Sequence, residues 1–260
     1  MAAPEGHRVA VGQFPERLAG KRRHTGRVLR LLVAVVILAL LARVLRPAWR
    51  NRRLALRVWS SIRPRHVLGS IALLAVVMTV VLGLLTFVPP TRAGLGSLIG
   101  LTGNALFAPV EEAAVRSEQA PDGGGGQALL LAGTGAFLVL LLALFPELAH
   151  REELAFRQGL ERASPGRELW AALRFGLAHM VMLVPLAAAL AIAVAGFAYG
   201  RIYRRAYANL TAGVAAGGVE PPITVPAARA QAVLAATVWH TTFNSLVVVL
   251  VLVSLLLGGG

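Results

Sequence analysis

Residues 67–88 read VLGSIALLAVVMTVVLGLLTFV, a stretch of 22 residues without a charged side chain. A helix of about 20 apolar residues spans the hydrocarbon core of a bilayer. Residues 127–145 and 230–260 share this character, because they also carry no Asp, Glu, Lys or Arg. Charged residues make up 15% of the 260-residue chain, against about a quarter in soluble domains. The sequence therefore predicts an all-α integral membrane protein.

Proline and polar residues divide the apolar sequence into helices. Pro89 and Pro90 end the first helix, and Pro185 separates two later ones. Further helices are predicted at roughly 128–149, 168–184, 186–200 and 228–257. Two weaker apolar segments, 28–45 and 93–110, could span the membrane, lie in its interface or re-enter it. The expected fold is a polytopic transmembrane bundle of about five to eight membrane helices.

The chain divides into three regions by its charge and apolar patterning. Residues 1–27 are polar and basic and are expected to be disordered. Residues 28–127 hold N-terminal membrane or interfacial segments and a loop, and 128–260 form the expected catalytic core of membrane helices. Within the second region, residues 43–65 carry eight Arg and no acid, and could form an amphipathic surface helix with Trp49 and Trp59. Polar loops are expected at 150–167 and 201–226.

The basic charge indicates a membrane topology. The net charge is +14, and nearly all basic residues are Arg that flank apolar runs. Juxtamembrane arginine marks cytoplasmic loops and attracts anionic lipid, so membrane lipid is an expected partner and nucleic acid is not. Segments 1–30, 43–65 and 201–231 are expected in the cytoplasm, and 89–127 outside. The composition is typical of a bacterial plasma-membrane protein, and the absence of cysteine excludes disulfides.

Ionisable residues inside apolar segments are costly and mark candidate functional sites. The first such group is HREELAFR at 150–157, in which Glu153 and Arg157 lie four residues apart on one helical face. Glu152 points about 100° away around the helix and is free to act as a base. The pattern EExxxR is weak by itself, because residues 111–116 repeat it without a nearby histidine.

Two further groups follow in later helices. The sequence FGLAH places His179 one turn after Phe175 in an apolar helix. The sequence HTTFN places His240 and Asn244 on one face of the last helix. Each could be a packed, hydrogen-bonded residue when taken alone. Together, a carboxylate, two imidazoles and an amide on three helices are the groups needed to activate water and to stabilise an oxyanion.

The order EExxxR, FxxxH and HxxxN in membrane helices resembles the CPBP family of intramembrane proteases, which includes CAAX prenyl endopeptidases and bacteriocin-processing and immunity proteins. The resemblance covers roughly residues 146–250. It implies an intramembrane endopeptidase acting on a membrane-associated or peptide substrate at the cytoplasmic side. Glu152 would polarise the attacking water beside His179, and His240 with Asn244 would stabilise the oxyanion. Three supporting residues are implied: Glu153, Arg157 and Phe175.

Metal dependence stays open at this level. Glu152, His179 and His240 could supply three zinc ligands with an open fourth position. The HExxH motif is absent, which favours a metal-free glutamate-activated water. Two other functions also stay open. One is a non-catalytic membrane partner or immunity protein that retains the protease fold, and the other is a small transporter or channel, which the lack of an internal repeat disfavours.

Overall fold

The computed structural model describes residues 35, 39, 42–95, 125–215 and 223–258. Contacts between Cα atoms divide the chain into the units Met1–Leu40 and Leu41–Gly260, and nearly all described residues belong to the second. These residues are overwhelmingly helical and form no β-strand beyond an isolated bridge between Gly94 and Pro185. The expected disorder at 1–27, most of 28–45 and 93–110, and the second EExxxR at 111–116 lie outside the described residues.

The helices follow one another with short connections. Helical residues at 42–50 lead into α1. The helices with assigned bounds are α1 (Arg52–Ser61), α2 (Pro64–Phe87), α3 (Gly125–Arg157), α4 (Pro165–Ala178), α5 (Leu186–Ala215) and α6 (Val225–Gly258). Turns of 3-10 helix, Pro89–Arg92 and His179–Met182, follow α2 and α4.

Four helices in the described part of the chain are long and apolar enough to cross a membrane. Their candidate spans are Pro64–Phe87, Ala132–Arg157, Leu186–Ala212 and Val225–Ser254. Four such helices are compatible with an integral membrane protein, as the apolar runs predict. Helix α4 is different, because 14 residues at 1.5 Å each reach only about 21 Å, less than the ~30 Å hydrocarbon core.

The expected boundaries of α4 were wrong at both ends. Ser164 caps the helix by accepting a hydrogen bond from the Arg167 backbone N–H, and Pro165 occupies the first turn, so the helix begins before 168. It ends at Ala178 rather than 184, because a 3-10 turn follows and Leu183 adopts a left-handed φ of 64°. His179 therefore lies at the end of α4 and not within an apolar helix.

The two expected polar loops are largely helical. Helix α3 continues through Pro146 to Arg157, which shortens the junction expected at 150–167. Helix α5 continues to Ala215, into the loop expected at 201–226. Two reasons explain the longer α5. Arginine has a high helix propensity. In addition, Arg201 and Arg204 both pair with the buried carboxylate of Glu168 on α4.

Helix α6 packs against α2, α3 and α5, while α4 packs mainly on α5. The approach of α4 to α5 is close at Gly176, where an added Cβ would lie 2.7 Å from the Ala193 Cβ. One buried cluster joins Val77 of α2, Phe175 of α4 and Tyr199 of α5. This packing brings the ends of α3 and α4 beside the middle of α6.

Candidate active site

The last turns of α3 carry a buried ion pair. Arg157 Nε lies 3.2 Å from Glu153 Oε2, and the two side chains are 1% and 0% exposed. This is the pairing expected from their four-residue spacing. The Arg157 guanidinium also lies 4.6 Å from the centre of the Phe175 ring, in a cation–π contact. Arg157 is thus held by α3 and α4 together.

Glu153 has a second partner, which the sequence did not indicate. Its Oε1 lies 2.9 Å from His240 Nδ1 on α6. Because an ionised carboxylate can only accept, His240 donates through Nδ1–H. In a neutral His240 ring, Nε2 then carries the lone pair, and it lies 3.7 Å from Glu152 Oε2. Glu153 therefore fixes the orientation of His240.

His179 is oriented in the same way by a backbone group. Its Nδ1 lies 2.8 Å from the carbonyl oxygen of Phe175, one turn earlier. Because a carbonyl oxygen only accepts, Nδ1 carries the proton and Nε2 of the neutral ring is free to accept. That Nε2 lies 3.9 Å from Glu152 Oε2. The 3-10 turn at His179–Met182 positions this ring at the end of α4.

Glu152 lies next to both histidines. Its Oε2 is buried and makes no hydrogen bond to any described residue, although the side chain as a whole is 34% exposed. The Nε2 atoms of His179 and His240 both face this oxygen at separations too long for direct hydrogen bonds. Separations of this length suit groups that share a bridging water.

Asn244 lies one turn beyond His240 on α6 and is half-buried. Its side chain makes no hydrogen bond to the part of the chain that the structure describes. The structure thus brings Glu152, His179 and His240 together around one oxygen. Asn244 shares the face of His240 by its spacing and forms no hydrogen bond with these three residues.

Two aromatic rings pack against the histidines of the site. Phe175 is 1% exposed and lies edge-on to His179 and His240, with ring centres 4.7 and 5.6 Å apart. Tyr199 of α5 stacks on His240, with ring centres 4.6 Å apart and planes 20° apart. Gly196 leaves room for Phe175, because a Cβ there would lie 2.6 Å from the ring. These rings hold both imidazoles in fixed planes.

Tyr199 is the residue that sequence reasoning missed. It is 1% exposed, and its hydroxyl has no hydrogen-bond partner among the described residues. Its only signal in the sequence is a phenol within the Ala-rich run of α5. That signal shows neither its partner nor its orientation.

A second polar cluster lies on the preceding turns of α3. Glu147 Oε1 lies 2.7 Å from Arg151 Nε, and the Asn51 amide donates to both Glu147 oxygens at 3.3 and 3.2 Å. His150 Nδ1 lies 3.3 Å from Thr237 Oγ1 on α6. These contacts connect α3 to Asn51, the residue before α1, and to α6. The sequence pointed to the HREE segment but not to these partners.

The described residues contain no candidate metal site. Within 42–95, 125–215 and 223–258, no group of three or more His, Asp or Glu side chains is arranged to hold a metal ion. The set Glu152, His179 and His240, which could supply zinc ligands by residue type, is therefore not found as a metal-binding group among these residues.

Comparisons with known proteins identify no relative of this chain. No family model matches the chain, and neither a curated protein nor a solved structure matches it.

Proposed function

We propose that this protein is an intramembrane endopeptidase in which Glu152 activates a water molecule. The observation that carries the proposal is the convergence of His179 Nε2 and His240 Nε2 on the buried Glu152 Oε2, at 3.9 and 3.7 Å. The resemblance of EExxxR, FxxxH and HxxxN to the CPBP proteases supports the same chemistry. The substrate is a membrane-associated protein or a peptide.

The first step is attack of water on the scissile carbonyl. A water bridging the three atoms donates one hydrogen to Glu152 and is oriented by a histidine Nε2. As the new C–O bond forms, the water gives a proton to Glu152, and the π electron pair of the carbonyl moves onto the carbonyl oxygen. Glu152 suits this role because its neighbour Glu153, and not Glu152 itself, is paired with Arg157.

The second requirement is stabilisation of the oxyanion. His240 donates to the oxyanion from Nε2 when both ring nitrogens carry a proton, and its Nδ1 donates to the Glu153 carboxylate. Asn244 Nδ2–H is the second donor from the same face of α6. When the intermediate collapses, the C–N bond breaks and Glu152 returns its proton to the leaving amine. The enzyme then regains its starting state.

The proposal includes a location. The chain would lie in a bacterial plasma membrane, with the site towards the cytoplasm. The support is the charge distribution: the basic segment 201–231 leads into α6, which carries His240, and Asn51 of the basic segment 43–65 contacts Glu147 of α3.

Quantitative proteomics of membrane fractions tests this function. Cells carrying Glu152→Gln are compared with wild type and with Glu147→Gln, which changes a glutamate on the same helix outside the site. We expect one or more intact substrates to accumulate with Glu152→Gln only, at equal abundance of the three proteins. Identical cleavage in all three strains would overturn the proposal. A phenotype that persists with Glu152→Gln would favour the non-catalytic partner or immunity protein.

A further inference from the structure

A cavity of about 530 Å³ lies beside the helical residues that precede α1. The residues lining it are Ala42, Arg43, Arg46, Pro47, Arg50 and Asn51. The spacing of positions 43, 46, 47 and 50 places them on one helical face, and three of these four lining residues are arginines. Ligand pockets in proteins commonly have volumes of about 300–1,000 Å³, so the cavity can hold a lipid headgroup.

The three arginines have no carboxylate partner among the described residues. Elsewhere in the described chain several arginines pair with an acid, as Arg151 does with Glu147 and Arg229 with Glu161. Residues 43–65 contain no Asp or Glu at all. Among the described residues, no acidic side chain therefore compensates the positive charge around the cavity, which favours binding of an anion.

Two contacts relate this cavity to the bundle and to the membrane surface. Asn51 of the lining donates to Glu147 on α3, which anchors the arginine face to a candidate membrane helix. Trp49 is 74% exposed, with the Arg52 guanidinium 5.9 Å from its ring. Exposed tryptophan beside arginine is typical of the headgroup layer of a bilayer. The cavity thus belongs at the depth where lipid phosphates lie.

We propose that Arg43, Arg46 and Arg50 form a binding site for a phosphate-bearing anion, which in the membrane is the headgroup of an anionic phospholipid. Guanidinium groups bind phosphate oxygens through paired N–H donors, and three of them on one face can enclose one phosphate. This site is independent of the proposed protease chemistry, because none of its residues belongs to the candidate active site.

Lipid binding by the full-length protein tests the site. Phosphatidylglycerol is titrated into protein in a neutral detergent, and retained lipid is counted by native mass spectrometry. The triple variant R43Q/R46Q/R50Q should weaken binding about tenfold or more, because it removes the three arginines proposed to bind the phosphate. The matched control is R52Q/R53Q/R57Q, which removes the same charge from the exposed face of α1 and should weaken binding less than about threefold.

The same experiment distinguishes the source of the phosphate. Inorganic phosphate at millimolar concentration is added to the wild-type complex. Retention of the lipid supports a phospholipid headgroup, whereas displacement of the lipid supports a soluble phosphate ligand at the same arginines. Equal weakening in the two triple variants would show diffuse attraction to the basic surface and would overturn the site. Unchanged binding in R43Q/R46Q/R50Q would also overturn it.

Discussion

Helix α3 carries two Glu–Arg pairs with the same four-residue spacing, and their surroundings differ. Glu153 and Arg157 are almost completely buried, and Glu153 also holds His240. Glu147 is buried, but Arg151 is 50% exposed and the additional partner is the Asn51 amide. The comparison shows that the spacing alone predicts an ion pair, whereas burial and a histidine partner distinguish the candidate site.

The two clusters each contain a histidine, and the largest difference is expected between them. His179→Ala should lower the rate of substrate cleavage by about 10²- to 10⁴-fold, because it removes an imidazole that faces the Glu152 carboxylate. His150→Ala should change the rate less than about threefold, because His150 contacts Thr237 and not Glu152. The measurement uses the substrate that accumulates with Glu152→Gln. Equal rates in the two variants would remove the distinction between the clusters.

The arginines provide the next contrast, in stability. Arg157→Met leaves Glu153 buried with one partner fewer and should lower the free energy of unfolding by about 3–5 kcal/mol. Arg151→Met removes a half-exposed partner and should cost about 1 kcal/mol or less. Thermal unfolding of both purified variants in the same detergent checks the order. A larger loss for Arg151→Met would show that the buried pair is not the stronger structural element.

The aromatic support of His240 gives a smaller effect. Tyr199→Leu removes the ring stacked on His240 and should cost about 1–2 kcal/mol. Tyr199→Phe keeps the ring and loses a hydroxyl without a described partner, so its stability should stay close to wild type. Thermal unfolding measures both. A loss with Tyr199→Phe as large as with Tyr199→Leu would mean that the hydroxyl, not the stack, is the important contact.

Local spacing predicted part of this arrangement. The uncharged run at 67–88 predicted a membrane helix, and the structure has an apolar helix at Pro64–Phe87. The separation of Glu153 and Arg157 predicted their contact, because residues four apart share a helical face. The motifs predicted a group of four residues, Glu152, His179, His240 and Asn244. The structure shows the first three near one another, and their catalytic roles are a proposal.

Contacts between distant segments explain what the sequence could not predict. Tyr199 stacks on His240 across two helices, and no local period encodes such a pair. Helix α5 extends beyond 200, where Arg201 and Arg204 pair with Glu168 from α4. The end of α4 at Ala178 depends on a 3-10 turn and a left-handed Leu183 that no glycine marks. Tertiary packing overrides local propensity at these positions.

The smallest expected effect concerns an acid outside the candidate spans. The pKa of Glu161 lies below the ordinary 4.5. Burial by itself would raise this pKa, but hydrogen bonds from a backbone N–H, from Tyr203 and from Arg229 stabilise the carboxylate more strongly. A carboxylate whose pKa is lower in the folded than in the unfolded protein stabilises the fold at pH values above its unfolded-state pKa. This stabilisation is lost as the pH falls through the folded-state pKa. Glu161→Gln should therefore be less stable than wild type at pH 7, by about 1 kcal/mol or less.

The difference between wild type and Glu161→Gln should shrink as the pH falls below about 4. Thermal unfolding of wild type and Glu161→Gln at a series of pH values measures it. A difference for Glu161→Gln that is independent of pH would show that shape rather than charge stabilises this contact. A difference that grows in acid would mean that the pKa of Glu161 is raised and not lowered.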